Sequence, residues 1–302
     1  MKIISLLLCA ALTVCLPHSQ LFAADQIPLA KALTPEHPEA NAQSKQLFNQ
    51  QLTQNLERAK QIDQGRLWYA GLGLDSGSKA FRGDVDLVQR RISQINASRL
   101  SFVMDNHPQA KTLDRPFAHF GNLNEVVKNI GKHKRENDVL VLFLSAHGNV
   151  PFLATEIGNQ RYADIQASQL ASTLEQVKDL PTLIIISACH SGSLIPALEK
   201  PTRIILTAAA KEKTSYGCQP LSNNTFFVEE YFGEAFDPRL SVKANFDSAR
   251  KRISERETAE KLIPSEPQIF VGEKMKAVAD KAMNEWLSLA LPTPPASAKD
   301  AK

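Results

Sequence analysis

Two aliphatic runs, Val139-Leu-Val-Leu-Phe-Leu144 and Leu183-Ile-Ile-Ile186, constrain this chain more than any other feature of it. Neither alternates apolar with polar residues, and each is closed by small residues, as expected of strands buried on both faces of a parallel sheet. Parallel strands require long crossovers, most often helical, and the surrounding sequence supplies them. Strand Leu67–Leu72 precedes a helix from about Asp84 to Asn96, and strand Leu100–Met104 follows. Loop and helix then occupy 105–135, with Leu123, Val126, Val127 and Ile130 as the inner stripe. Strand Val139–Ser145 leads into a crossover whose helix, near Asp164 to Lys178, turns Leu170, Leu174 and Val177 inward. Strands Thr182–Ser187 and Arg203–Thr207 complete the alternation. The pattern predicts an α/β fold: a mostly parallel central sheet with helices on both faces.

The flanks differ in character. Met1-Lys2, the apolar stretch Ile3 to Leu16 and the small pair Ala23-Ala24 have the order of a secretory signal peptide, assigned to 1–24. Its apolar part is short for a membrane span, so the expected product is periplasmic or secreted and not inserted in a membrane. Residues 25–64 read as a Pro- and Ala-rich arm followed by a helix with Phe48, Leu52, Leu56, Ala59 and Ile62 on one face. The main domain is assigned to 65–290. Its last part holds Phe226–Phe236, a charged helix to about Ile263, a strand at Gln268–Val271 and a helix at Lys274–Leu289. The tail, 291–302, has the composition of a disordered segment.

A net charge of +3, with no basic patch interleaved with aromatics, gives no reason to expect nucleic acid. Without the signal, only Cys189 and Cys218 remain of four cysteines. Two cysteines are not a disulfide framework, and no His or Cys pairs have metal-ligand spacing. No metal or cofactor is expected.

Chemistry is expected where the aliphatic strands end, because ligands bind at the carboxyl ends of strands in such sheets. One run ends in Ser145-Ala-His147-Gly148 and the next in Ser187-Ala-Cys189-His-Ser-Gly192. A free thiol has a pKa of about 8.5 and is mostly protonated at neutral pH. A neighbouring imidazole takes that proton, stabilises the thiolate and later protonates the leaving amine. His147 is therefore the candidate base and Cys189 the candidate nucleophile. The N–H groups of Gly148 and Cys189 are candidate donors to an oxyanion. A buried cysteine and a loop histidine also have inert readings, and spacing by itself leaves both open.

At these strings the sequence resembles the legumain-like cysteine peptidases, peptidase family C13, within the caspase-like clan. His147-Gly148 and Ala188-Cys-His-Ser-Gly-Ser193 follow the clan's pattern, and Leu206-Thr-Ala-Ala-Ala210, Thr214-Ser-Tyr-Gly-Cys218 and Tyr231-Phe-Gly-Glu234 resemble further legumain segments. The resemblance covers about 67–272. It lacks the long C-terminal prodomain of animal and plant legumains, as a short bacterial member would. It implies a caspase-like three-layer sandwich and a cysteine endopeptidase acting on polypeptides, with His147 as base, Cys189 as nucleophile, and Gly148 with Cys189 as oxyanion hole. Cys218 corresponds to a structural cysteine of the pocket wall, and His190 receives no role.

Legumains select Asn through a pocket containing an acid and an Arg. The resemblance implies Glu234 as the acid, Arg82 as its basic partner and Ser215 on the wall; with Arg82 in place Asn or Asp is preferred before the scissile bond, and a Glu234 without a paired Arg would favour Lys or Arg. Ser187 stands where the family has a Glu, which removes one pocket charge. A transamidase of the same family and an inactive caspase-like binding module are the alternatives.

Overall fold

The computed structural model describes residue 35 and residues 38–106, 113–158 and 160–289. The expected signal peptide, most of the arm and the tail lie outside them. Among the described residues no helix is long and apolar enough to cross a membrane.

Helix α1 (Pro38–Lys60) precedes β1 (Leu67–Gly73), α2 (Lys79–Ile95), β2 (Leu100–Asp105), α3 (Phe120–His133) and β3 (Val139–Ser145). A small antiparallel sheet follows: β4 (Gly148–Asn149), β5 (Phe152–Ile157) and β6 (Gln160–Gln166). The chain continues through α4 (Ala167–Leu174), β7 (Thr182–Ser187), α5 (Ile195–Leu198), β8 (Arg203–Thr207), α6 (Phe226–Phe232), α7 (Val242–Ala259) and β9 (Gln268–Val271). The main sheet has the order β2-β1-β3-β7-β8-β9, parallel except for β9.

Alternation of side chains along the strands divides the core into two layers. Leu140, Leu142, Leu144, Ile184 and Ile186 face the apolar stripes of α1, α3, α4 and α5. Val141, Phe143, Leu183, Ile185 and Leu206 face α2, α6 and α7. The aliphatic runs are thus covered on both sides, and the architecture is the three-layer α/β arrangement expected of them.

An edge strand exposes unpaired backbone groups, and α1 covers those of β2. The Gln51 amide donates to Val103 O at 2.9 Å and accepts from Val103 N at 3.0 Å. Asn55 repeats this on Ser101, at 2.7 and 2.9 Å. Residues four apart on a helix share a face, as do residues two apart on a strand, so two amides stand in for a neighbouring strand. Each hydrogen bond is worth about 0.5–1.5 kcal/mol net. The double variant Gln51→Ala/Asn55→Ala is expected to lose about 2–6 kcal/mol of stability, from the four bonds at those values, and to associate with rising concentration. Sedimentation velocity and urea unfolding against wild type test this; unchanged behaviour in both would refute it.

Two elements differ from the sequence reading. The crossover after β3 opens with the β4–β6 hairpins, and its helix is the shorter α4. The final helix is broken into pieces at Lys276–Ala279 and Met283–Leu287. Between them Ala282 bridges Ser241, while Met283 N and Asn284 N donate to Leu240 O and Pro238 O. Tertiary backbone bonds have replaced helical ones there.

Candidate active site

Strands β3 and β7 pair with a constant offset of 42 residues, from Leu140 with Thr182 to Ser145 with Ser187. Ala146 N then donates to Ser187 O at 3.1 Å, carrying the register past the last pair. Continued by one more residue, the same offset joins His147 to Cys189. The imidazole and the thiol therefore leave neighbouring central strands at the same level.

Gly148 shows how close the two turns come. A Cβ at this position would lie 2.3 Å from the Cys189 carbonyl oxygen and 3.0 Å from Ala188 Cβ. Only glycine lets the backbone after His147 approach the nucleophile's own peptide this closely. Gly148→Ala must displace that peptide, and displacements of about 1 Å near reacting groups cost about 100-fold in rate. A loss of that order in kcat/KM is expected, measured on purified protein with native circular dichroism; an Ala variant of wild-type activity would contradict it.

His147 is exposed, but its ring is not loose. It packs edge-on against the buried Phe81 of α2, with centroids 5.0 Å apart and planes at 79°. Its carbonyl accepts from Ala154 N of β5 at 2.9 Å, so the inserted hairpin braces the strand end.

Cys189 is half-buried. Ser215 N donates to its Sγ at 3.3 Å, and Ser215 Oγ lies 3.7 Å away. The following residue, His190, adopts the left-handed conformation with φ of 56°. Its N–H donates to Lys213 O at 2.8 Å and its Nδ1 lies 3.0 Å from Lys211 O. Gly192 N donates to Ala209 O at 2.9 Å. The turn is thereby stitched to the 209–215 segment that carries Ser215. Cys218 is free, like Cys189. Burial first, and then the charge on Cys189, push its thiol pKa upward.

Of the pocket residues, the structure brings Ser215 to the thiol and Ser187 beneath it. Ser187 is buried, and its Oγ lies 2.8 Å from Thr225 Oγ1. Arg82 is buried on the first turn of α2 and hydrogen-bonds Asp105 and Asp114. Glu234 is not brought to this group. Thr225 caps the start of α6 beside Ser187, whereas exposed Glu234 follows the helix's end. Seven helical residues separate those ends by about 10 Å. Tyr231 and Phe232, which precede Glu234 in the matching segment, are core residues.

Sequence reasoning passed over Asp84. It is fully buried on α2, one turn after Phe81 and one before Val88. Its carboxylate accepts from Ser145 Oγ at 2.7 Å, Thr225 N at 2.9 Å, Thr225 Oγ1 at 2.8 Å and Asn224 Nδ2 at 3.2 Å. Burial pushes its pKa up to about 7 against the pull of these donors. A charged residue in the apolar stripe of a helix was the available signal.

A central parallel sheet with thiol and imidazole on adjacent strand ends defines a protein of the cysteine-peptidase type. The chain belongs to the peptidase C13 family, whose model matches residues 119–277, more than half of its length. Among solved structures, caspase-1 from Spodoptera frugiperda is similar at 12% sequence identity and a TM-score of 0.47, over 70% of this chain and 91% of that one. No curated protein matches the chain.

Proposed function

We propose that this protein is an exported cysteine endopeptidase in which Cys189 attacks the peptide carbonyl and His147 serves as base and then acid. The observation that supports the reading is the shared register of β3 and β7, whose last pair, Ser145 with Ser187, lies two residues before His147 and Cys189. The thiolate adds to the carbonyl carbon, and the oxyanion receives the N–H groups of Gly148 and Cys189. The imidazolium returns its proton to the departing amine, leaving a thioester on Cys189. Water, deprotonated by His147, hydrolyses the thioester and restores the thiol. Selection of Asn or Asp before the scissile bond rests on Arg82 at the head of α2 and on Ser215 beside the thiol; Glu234 is left out of the pocket.

The test is a fluorogenic peptide library varied at the residue before the scissile bond, applied to wild type and to Cys189→Ala. Cleavage after Asn or Asp by wild type alone is the expected result. Equal cleavage by both proteins would overturn the assignment of Cys189, and cleavage after other residues would overturn the preference.

A further inference from the structure

Asp84 joins elements that the proposed chemistry needs in fixed relation. Ser145, which donates to it, lies two residues before His147 on β3. Ser187 lies two residues before Cys189 on β7 and reaches Asp84 through the Thr225 hydroxyl. With the carboxylate ionised, the directions of these bonds are determined. It can only accept, so Ser145 and Thr225 both donate to it and Ser187 donates to Thr225. Thr225 N and Asn224 Nδ2 fill the other oxygen. One buried group thus ties α2, both strand ends and the start of α6.

We propose that Asp84 is a positioning residue, holding the His147 and Cys189 strand ends at a fixed spacing through Ser145, Thr225 and Ser187. It touches neither the substrate nor the reacting atoms, and it rests on the peptidase reading given above. Protonation places a hydrogen where one hydroxyl donates, so Ser145 or Thr225 must turn away or reverse its bond. With its pKa near 7, Asp84 makes this change within the neutral range. The surrounding groups do not take over its role. Arg82, on the same helix, is engaged with Asp105 and Asp114. Ser145 of β3 bonds to it through a hydroxyl, Asn224 and Thr225 ahead of α6 through amide, N–H and hydroxyl groups, and β7 reaches it only through Thr225. The Cys218 thiol also feels its charge: burial first, then Cys189, and last Asp75 and Asp84 raise that thiol's pKa.

Two pairs of variants test the proposal. Asp84→Asn keeps the shape and removes the titration; Thr225→Val removes the hydroxyl that Thr225→Ser keeps. Peptide kcat/KM and the rate of Cys189 alkylation by iodoacetamide, read by peptide mapping, are followed from pH 5.5 to 8.5. At pH 8, Asp84→Asn is expected to lose at least tenfold in kcat/KM. At pH 6, where Asp84 of the wild type is largely protonated, the gap narrows to about threefold. Thr225→Val should follow Asp84→Asn in both rates, and Thr225→Ser should stay within about threefold of wild type. A wild-type to Asp84→Asn ratio that is constant with pH overturns the proposal, as does Val behaving like Ser. If Asp84→Asn does not fold, the Thr225 pair decides alone. Wild type that alkylates as described but cleaves no peptide would sink the peptidase reading and leave the positioning of Cys189 standing.

Discussion

Alanine at position 189 is expected to bring peptide hydrolysis to background, and alanine at position 147 to lower kcat/KM by about 10²–10⁴-fold. The two losses differ because the residues do different work. In the proposed mechanism no acyl-enzyme forms without Cys189, whatever else is intact. Without His147 the thiol remains, and Ser215 N still points at its sulfur from 3.3 Å, so a slow attack persists. Fluorogenic assays from pH 6 to 9 read both effects. A Cys189→Ala variant keeping a tenth of wild-type activity would exclude the nucleophile assignment.

The second large effect lies at the opposite end of the sheet. Asp138, just before β3, is wholly buried and accepts from Arg66 Nε at 3.0 Å, Trp68 Nε1 at 2.9 Å, and the backbone N–H groups of Arg66 and Arg135 at 2.9 and 3.0 Å. Arg66 is also buried and its guanidinium stands 5.1 Å from the Trp68 ring centroid. Removing one partner of a buried ion pair leaves the other charged and desolvated, which costs about 3–5 kcal/mol. Asp138→Ala strands the Arg66 cation, the Trp68 indole N–H and two backbone donors together. For a domain of this size each kcal/mol moves Tm by about 2–4 °C, so a fall on the order of 10 °C is expected in calorimetry. A loss below about 1 kcal/mol would show that water reaches the site and that the pair contributes little.

What the sequence disclosed follows from how locally each feature is determined. The strands carrying His147 and Cys189 are covered on both faces, and burial of that kind leaves unbroken aliphatic runs. Strand β6, by contrast, is mostly exposed along Gln160-Arg-Tyr-Ala-Asp-Ile-Gln166. It has little apolar periodicity to detect, and the hairpin was read as part of a helical crossover. Glu234 was placed by a short motif, but the Tyr231-Phe232 of that motif serves the core, and helix geometry carries the acid away from Ser187. Asp84 was visible as a misplaced charge on α2. Its meaning was not, because its donors come from Ser145, Asn224 and Thr225, which only the tertiary fold assembles. Family membership supplied what spacing could not: a cysteine peptidase-type class for the chain as a whole.

The amide seam along β2 also sets the polarity of the molecule. Gln51 meets Val103 and Asn55 meets Ser101, so α1 runs against the strands and begins beyond their carboxyl ends. There Gln43 and Ser44 hold Leu113 and Phe117. At the other pole, Asn96 after α2 donates to the carbonyls of Leu287 and Ser288. The chain thus enters this body on the face where His147 and Cys189 emerge and departs from the opposite one. A fusion or affinity handle placed after Leu289 would start at the end of the sheet away from His147 and Cys189.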